Sequence, residues 1–242
     1  MAKSRVIVEF PDRPPYDVRI GPGVAAQLGS DVRALNARAS RCLVACDVES
    51  STRCLPMLRD ALAGAGLRVS DIVVPTVDPA DAWACMGELL GAIAQIGLEE
   101  GSPVVVCAGV EVSQLAAFAF SLDASPRPLV LVPASLAAAM ALAGVEGFEA
   151  DAGFSSPLRV KAAPAFACID PALLACAGGE EADLGLYELE QAAAAYCDGE
   201  FGRWLADALG DIVSGDEDAL VLALTQVLAA RADAIGRSIR LR

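Results

Sequence analysis

The sequence predicts an α/β protein, in which a largely parallel sheet alternates with helices and a smaller all-helical part follows. Three observations carry that prediction. Short apolar, β-branched runs alternate with helix-spaced segments through the first two-thirds of the chain, the order expected of βαβ units. Strand-like runs cease near Asp170, and only helical periodicity follows. An apolar fraction of 55% over 242 residues is ample for a buried core.

Val6 to Phe10 and Asp17 to Ile20 read as an opening strand pair, and Gly21-Pro22-Gly23 permits a tight turn before a helix from about Val24. Cys42 to Cys46 is a short apolar strand ending at Asp47, and Met57 to Ala65 shows helical spacing with Gly64 and Gly66 near its end. Val69 to Val74 is the next strand. A long helix from about Ala80 to Ile96, a strand at Val104 to Cys107, a helix at Ser113 to Phe120 and a strand at Leu129 to Val132 complete the series. The uncharged run from Pro128 to Val145 approaches the length of a membrane span. Pro133 divides it into a β-rich half and an alanine-rich half, which predicts a buried strand followed by a buried helix and no membrane span.

Asp151 to Ala163, with Gly153, Ser155, Ser156 and Pro157, reads as a linking loop. The division is therefore placed there, giving an α/β part at residues 1–163 and a helical part at residues 164–242. Within the latter, Ala182 to Cys197, Gly199 to Leu209 and Glu217 to Ile235 read as helices. Asp216-Glu217-Asp218 sets negative charge at the start of the last one, where the helix dipole favours it.

Composition excludes some classes of function. Acidic residues outnumber basic ones 32 to 18 and the basic residues form no stripe, so a polyanion meets repulsion at most faces and nucleic acid is not an expected ligand. The N-terminal residues lack the apolar stretch of an export signal, and a cytoplasmic protein is expected. Eight cysteines sit mostly inside apolar segments without paired CxxC spacing, as buried, reduced thiols do.

Several segments, taken in order, resemble successive motifs of the 3-dehydroquinate synthase family, within the sugar-phosphate cyclase superfamily. Tyr16 to Gly23, YDVRIGPG, resembles the family's opening Y-x-V-x-I-G-x-G, and Cys46-Asp47-Val48 resembles its T-D-x-x-V strand end. Val104 to Ser121, VVVCAGVEVSQLAAFAFS, resembles vvALGGGVVGDLAGFAAS, and Val132 to Leu136 resembles V-P-T-T-L. Ala163-Pro164 with Asp170 keeps the spacing of Q-P-x-x-V-x-x-D, and Asp198 to Leu205, DGEFGRWL, resembles the start of the family's second C-terminal helix. The resemblance implies a Rossmann-like NAD-binding domain followed by a helical domain, with zinc held between them by one Glu and two His. In the family, NAD transiently oxidises the substrate, phosphate is eliminated and the ring closes after re-reduction.

Each of those steps makes a demand that these residues answer poorly. A catalytic zinc needs three protein ligands and an open position. The chain has no histidine and stops at Arg242, near where the family's first metal-binding His motif would start. The family Glu falls near Leu189, flanked by Glu188 and Glu190. No metal ligands and no catalytic residues are assigned. A dinucleotide pyrophosphate needs close backbone approach and free N–H groups at a helix start. The family's triple glycine is represented by Ala108-Gly109-Val110 and followed by Glu111. At about 5 Å and an effective dielectric near 20, that carboxylate repels a phosphate charge by roughly 3 kcal/mol. The family's Asp in this motif is Gln114, and its Thr-Thr pair is Ala134-Ser135. Asp47, Gly109 and Ser135 are what remains of a cofactor site, and neither NAD nor zinc is expected. Asp47 has two readings, as an acceptor from a ribose hydroxyl or as a helix cap.

On the substrate side, the family's VDSSVGGKTG falls on Met140 to Glu149, so its Asp becomes Ala141 and its Lys becomes Gly147. The GKN pair falls on Ser155-Ser156, and a further family Lys falls near Ala192. A phosphorylated, carboxylate-bearing substrate needs fixed positive charge. Arg159 and Lys161 either supply it or are ordinary loop charges. Three functions follow: a non-catalytic homologue with a binding or structural role, a divergent 3-dehydroquinate synthase completed by a partner chain, or a nucleotide-binding module without turnover. An apolar face left on the last helix further predicts self-association or a protein partner through the helical part.

Overall fold

The computed structural model describes residues 3–75, 78–122, 127–151, 153, 155–174 and 179–240. Cys176 lies outside them. In chain order the elements are β1 (Ser4–Val8), β2 (Tyr16–Ile20), α1 (Leu28–Leu35), β3 (Arg41–Asp47), α2 (Val48–Arg53), α3 (Leu55–Gly64), β4 (Arg68–Val74), α4 (Ala82–Ile96), β5 (Val104–Cys107) and α5 (Val110–Ser121). There follow β6 (Leu129–Leu131), α6 (Leu136–Leu142), β7 (Phe148–Ala150), β8 (Leu158–Val160), β9 (Phe166–Ile169), α7 (Glu180–Tyr196), α8 (Gly199–Val213) and α9 (Glu217–Arg240).

Seven strands form one sheet in the order β1-β2-β9-β6-β5-β3-β4, parallel throughout except for the β1–β2 hairpin. Both faces of its middle strands are covered, which is why these read as unbroken apolar runs. Cys42, Val44 and Cys46 of β3 meet α1 and α3 on one face, with Cys107, Val130 and Cys168 beside them. Leu43, Ala45, Val104, Val106 and Leu131 meet α4, α5 and the helical part on the other. The edge strand β4 instead mixes polar residues among its apolar ones, and its Asp71 pairs with Arg59 of α3, charges that discourage edge-to-edge pairing.

Helix α9 is long and apolar enough to cross a membrane by composition alone. Its residues Leu220, Leu224, Val227 and Leu228 are nevertheless buried in the chain's own core, at the spacing of a core-facing helix. Arg231 of α9 reaches across to donate to the carbonyls of Met140 and Ala143, capping the buried C-terminal end of α6. Of the run from Pro128 to Val145, one half is sheet and the other buried helix, as expected.

Three local expectations fail. The stretch from Asp151 to Ala163 contains a strand, because Leu158 to Val160 pairs antiparallel with Phe148 to Ala150. The division after residue 163 leaves β9 on the helical side, whereas β9 pairs at the centre of the sheet between β2 and β6. Helix α5 starts at Val110, ahead of the expected Ser113, which places backbone N–H groups at the very end of β5.

Candidate functional site

The sheet order reverses between β3 and β5: β3 leads outward to β4, while β5 leads the other way to β6. The crevice beyond the C-terminal ends of two such strands is where open α/β sheets bind ligands. Parallel register brings Cys46 opposite Cys107, so Asp47 and the turn Ala108-Gly109-Val110 face one another across it. Asp47 resolves as a cap. Its Oδ1 accepts from the Ser50 N–H at 2.6 Å, closing the first turn of α2. Its Oδ2 accepts from the Gly109 N–H at 2.6 Å, tying β3 to the start of α5.

The next donor of that turn, the Val110 N–H, is taken by Glu181 Oε1 at 2.7 Å. Ser135, whose Oγ caps α6 by accepting from the Ala138 N–H, donates to the same carboxylate oxygen at 2.7 Å. The three residues singled out in the sequence, Asp47, Gly109 and Ser135, are thus brought to one place, around a fourth that was not. A Cβ added at Gly109 would lie 2.6 Å from Glu181 Oε1, so glycine here gives room to a carboxylate and not to a turn. Gly185, one turn further along α7, explains how Glu181 gets so close. A Cβ there would meet the Ala137 N at 2.6 Å and Leu136 Cβ at 2.8 Å, so its absence lets α7 lie directly against α6.

Two cavities flank this contact and share Val110 and Leu184 on their walls. The one at the switch point has a volume of about 630 Å³, and the charged residues lining it, among those described, are Asp47, Glu49, Glu111, Glu180 and Glu181. Arg53, the guanidinium near it, donates to the carbonyls of Leu173 and Ala134 at 2.7 Å each. The other encloses about 760 Å³ over an apolar floor that includes Leu142, Val145 and Phe148. Its rim mixes Glu146, Glu149 and Glu188 with Arg159 and Lys161, and Arg159 pairs with Glu149 at 2.9 Å. Ala141 and Gly147 line this second cavity, whereas Leu189 and Ala192 are buried in the core. Among the described residues no group of three or more cysteines and carboxylates is arranged to hold a metal ion. Burial raises the thiols of Cys42, Cys46 and Cys168 to about 12, keeping them protonated.

Glu181 carried no usable signal in the sequence. Beside Glu180 it reads as first-turn acid for α7, and its two partners, Val110 and Ser135, come from two other elements.

No family model matches the chain. Curated proteins named 3-dehydroquinate synthase match it at 24–31% identity. One, from Caulobacter vibrioides, is 27% identical over 229 residues, covering 91% of this chain and 60% of that protein. The chain therefore spans about three-fifths of that relative's length. Among solved structures, the 2-epi-5-epi-valiolone synthase ValA from Streptomyces hygroscopicus subsp. jinggangensis, with NAD+ and Zn2+ bound, superposes with a TM-score of 0.75 at 18% identity over 96% of this chain and 64% of that one. A 2-deoxy-scyllo-inosose synthase, complexed with carbaglucose-6-phosphate, NAD+ and Co2+, gives a TM-score of 0.70 at 13% identity over 98% of this chain and 70% of that one. By sequence the chain is similar to proteins named 3-dehydroquinate synthase, and its fold is that of the solved 2-epi-5-epi-valiolone and 2-deoxy-scyllo-inosose synthases.

Proposed function

We propose that this chain is a non-catalytic homologue of the 3-dehydroquinate synthases, a cytosolic protein that keeps the scaffold for a binding or structural role and uses neither NAD nor zinc. One observation carries the reading. The cavity at the switch point, where this fold type receives nucleotides, is lined by carboxylates alone among its charged residues. A dinucleotide brings a dianionic pyrophosphate and needs free N–H groups, and those of Gly109 and Val110 already donate to the chain's own Asp47 and Glu181. The residues present do not fit the cofactor. Nor do they fit a zinc site of the family's kind: the 242 residues include no histidine, and a single carboxylate near Leu189, whether Glu188 or Glu190, does not hold a catalytic zinc.

A different role for the scaffold implies contact with something else, and the helical part is the surface we assign to it. Tyr187, Tyr196, Val213 and Leu222 are exposed there. A second copy of the chain or another protein would cover them, and sedimentation at increasing concentration separates the two. One observation favours the alternative of a divergent active enzyme: the larger cavity keeps Lys161 and Glu188 on its wall. In that case homology assigns the reaction, a phosphate-eliminating carbon–oxygen lyase, with the metal ligands supplied by a partner chain.

The deciding experiment is a thermal-shift titration with NAD, alone and with zinc and a phosphorylated, carboxylate-bearing sugar. The reading expects no change in melting temperature at millimolar concentrations. A saturable rise would overturn it, because only a ligand held by the native fold stabilises in that way.

A further inference from the structure

The first turn of α5 has the makings of an anion site, and it already holds an anion. Helix α5 runs twelve residues, and its N-terminal end, where backbone N–H groups lack partners within the helix, lies at the crevice. The Val110 N–H and the Ser135 hydroxyl converge on a single oxygen, Glu181 Oε1, each at 2.7 Å. The glycine before them leaves the space in which that oxygen sits. We propose that Glu181 is an intramolecular latch: its carboxylate occupies the place of a phosphate oxygen, and removing it opens the α5 turn to phosphate-bearing ligands. This rests on the reading that the native chain does not bind the nucleotide, and among the carboxylates lining the crevice it names the one that occupies the phosphate donors.

Charge and geometry act together in the latch. A carboxylate accepts from two donors as a phosphate oxygen would, and it repels any second anion that approaches. Because Glu181 stands on α7 and its partners on α5 and at the start of α6, the same contact also ties α7 to those two helices. A phosphate ligand therefore has to displace a bonded, tethered competitor whose effective concentration is high. Asp47 is a lesser obstacle: it takes the Gly109 N–H but leaves Val110 and Ser135 to Glu181.

The test uses inorganic pyrophosphate as the probe, with the full chain and its Glu181→Ala and Glu181→Gln variants, read by calorimetry and thermal shift. Native protein is expected to show no binding at millimolar pyrophosphate. Glu181→Ala frees two donors to a charged ligand, and binding about ten- to a hundredfold tighter than native is expected. In Glu181→Gln the amide oxygen still accepts from both donors, so its gain should be smaller than that of alanine. Hydrogen exchange at the Val110 amide supplies a readout of the contact itself, slow in native protein and fast in Glu181→Ala. Should the alanine variant not fold, Glu181→Ser, too short to reach either donor, replaces it. A folded variant with a fast Val110 amide and no gain in pyrophosphate binding would sink the latch while leaving the proposed function standing. Pyrophosphate binding by the native protein would sink both.

Discussion

The two cavities on either side of Val110 and Leu184 are built from similar acidic residues put to opposite uses. At the switch point, Asp47 and Glu181 are bonded to backbone N–H groups and a hydroxyl, so their charges serve as internal caps. In the larger cavity, Glu146 and Glu188 stand at a rim above an apolar floor, and Glu149 pairs with the exposed Arg159. An acidic residue therefore says little about a site until its acceptor oxygens have been accounted for. Where they are satisfied by the fold, the carboxylate is structure; where they are not, it stays available to a ligand.

That contrast can be broken at α7, which walls both cavities. Leu189→Ala removes a fully buried side chain from the face that carries Glu181, and a loss of about 2–5 kcal/mol is expected in denaturant unfolding. Asp47→Ala should cost about 0.5–2 kcal/mol, the range for losing an N-cap, and should speed exchange of the Ser50 and Gly109 amides. A loss smaller than that of an ordinary surface substitution would show that this carboxylate is not structural. Glu188→Gln, on the other cavity, is expected to change stability by no more than about 0.5 kcal/mol. An effect as large as that of Asp47→Ala would erase the distinction between the two sides.

A weaker, pH-dependent effect belongs to the far face of the sheet. Below the ordinary thiol value of 9.0, Cys42, Cys46 and Cys168 are protonated whether the chain is folded or not. Above it the unfolded chain releases these protons while the fold retains them to about 12, so melting temperature should fall as pH rises through that window. Conversion of these thiols to alanine should flatten the fall.

Most of the fold was legible in the sequence because it rests on periodicity. The strands from Arg41 to Leu131 and the three C-terminal helices announce themselves by burial on one face or two. The hairpin of β7 and β8 does not, since three-residue strands set among Gly, Ser and Pro carry the composition of a loop. Strand β9 escaped for a related reason: its four residues follow Pro164 and include Ala167 and Cys168, too short a run to show a period. At the site, the cap was one of two readings open to Asp47 in the sequence, beside a ribose acceptor, because a cap is local. Glu181 was not, because its contact depends on residues 46 and 71 positions away and on the room that Gly185 gives between two helices.

The position of β9 bears on how the chain comes into being. Strand β2 is complete by Ile20, yet the strand it lies against in the sheet ends at Ile169, nearly 150 residues later. During synthesis the N-terminal hairpin must wait, one edge unsatisfied, while β3 to β6 are made and assemble beside it. Only when β9 emerges does the sheet become continuous. Those four residues are the stitch that joins the first twenty to everything made after them, and a ribosome stalled before them would carry a hairpin and a half-sheet with nothing between.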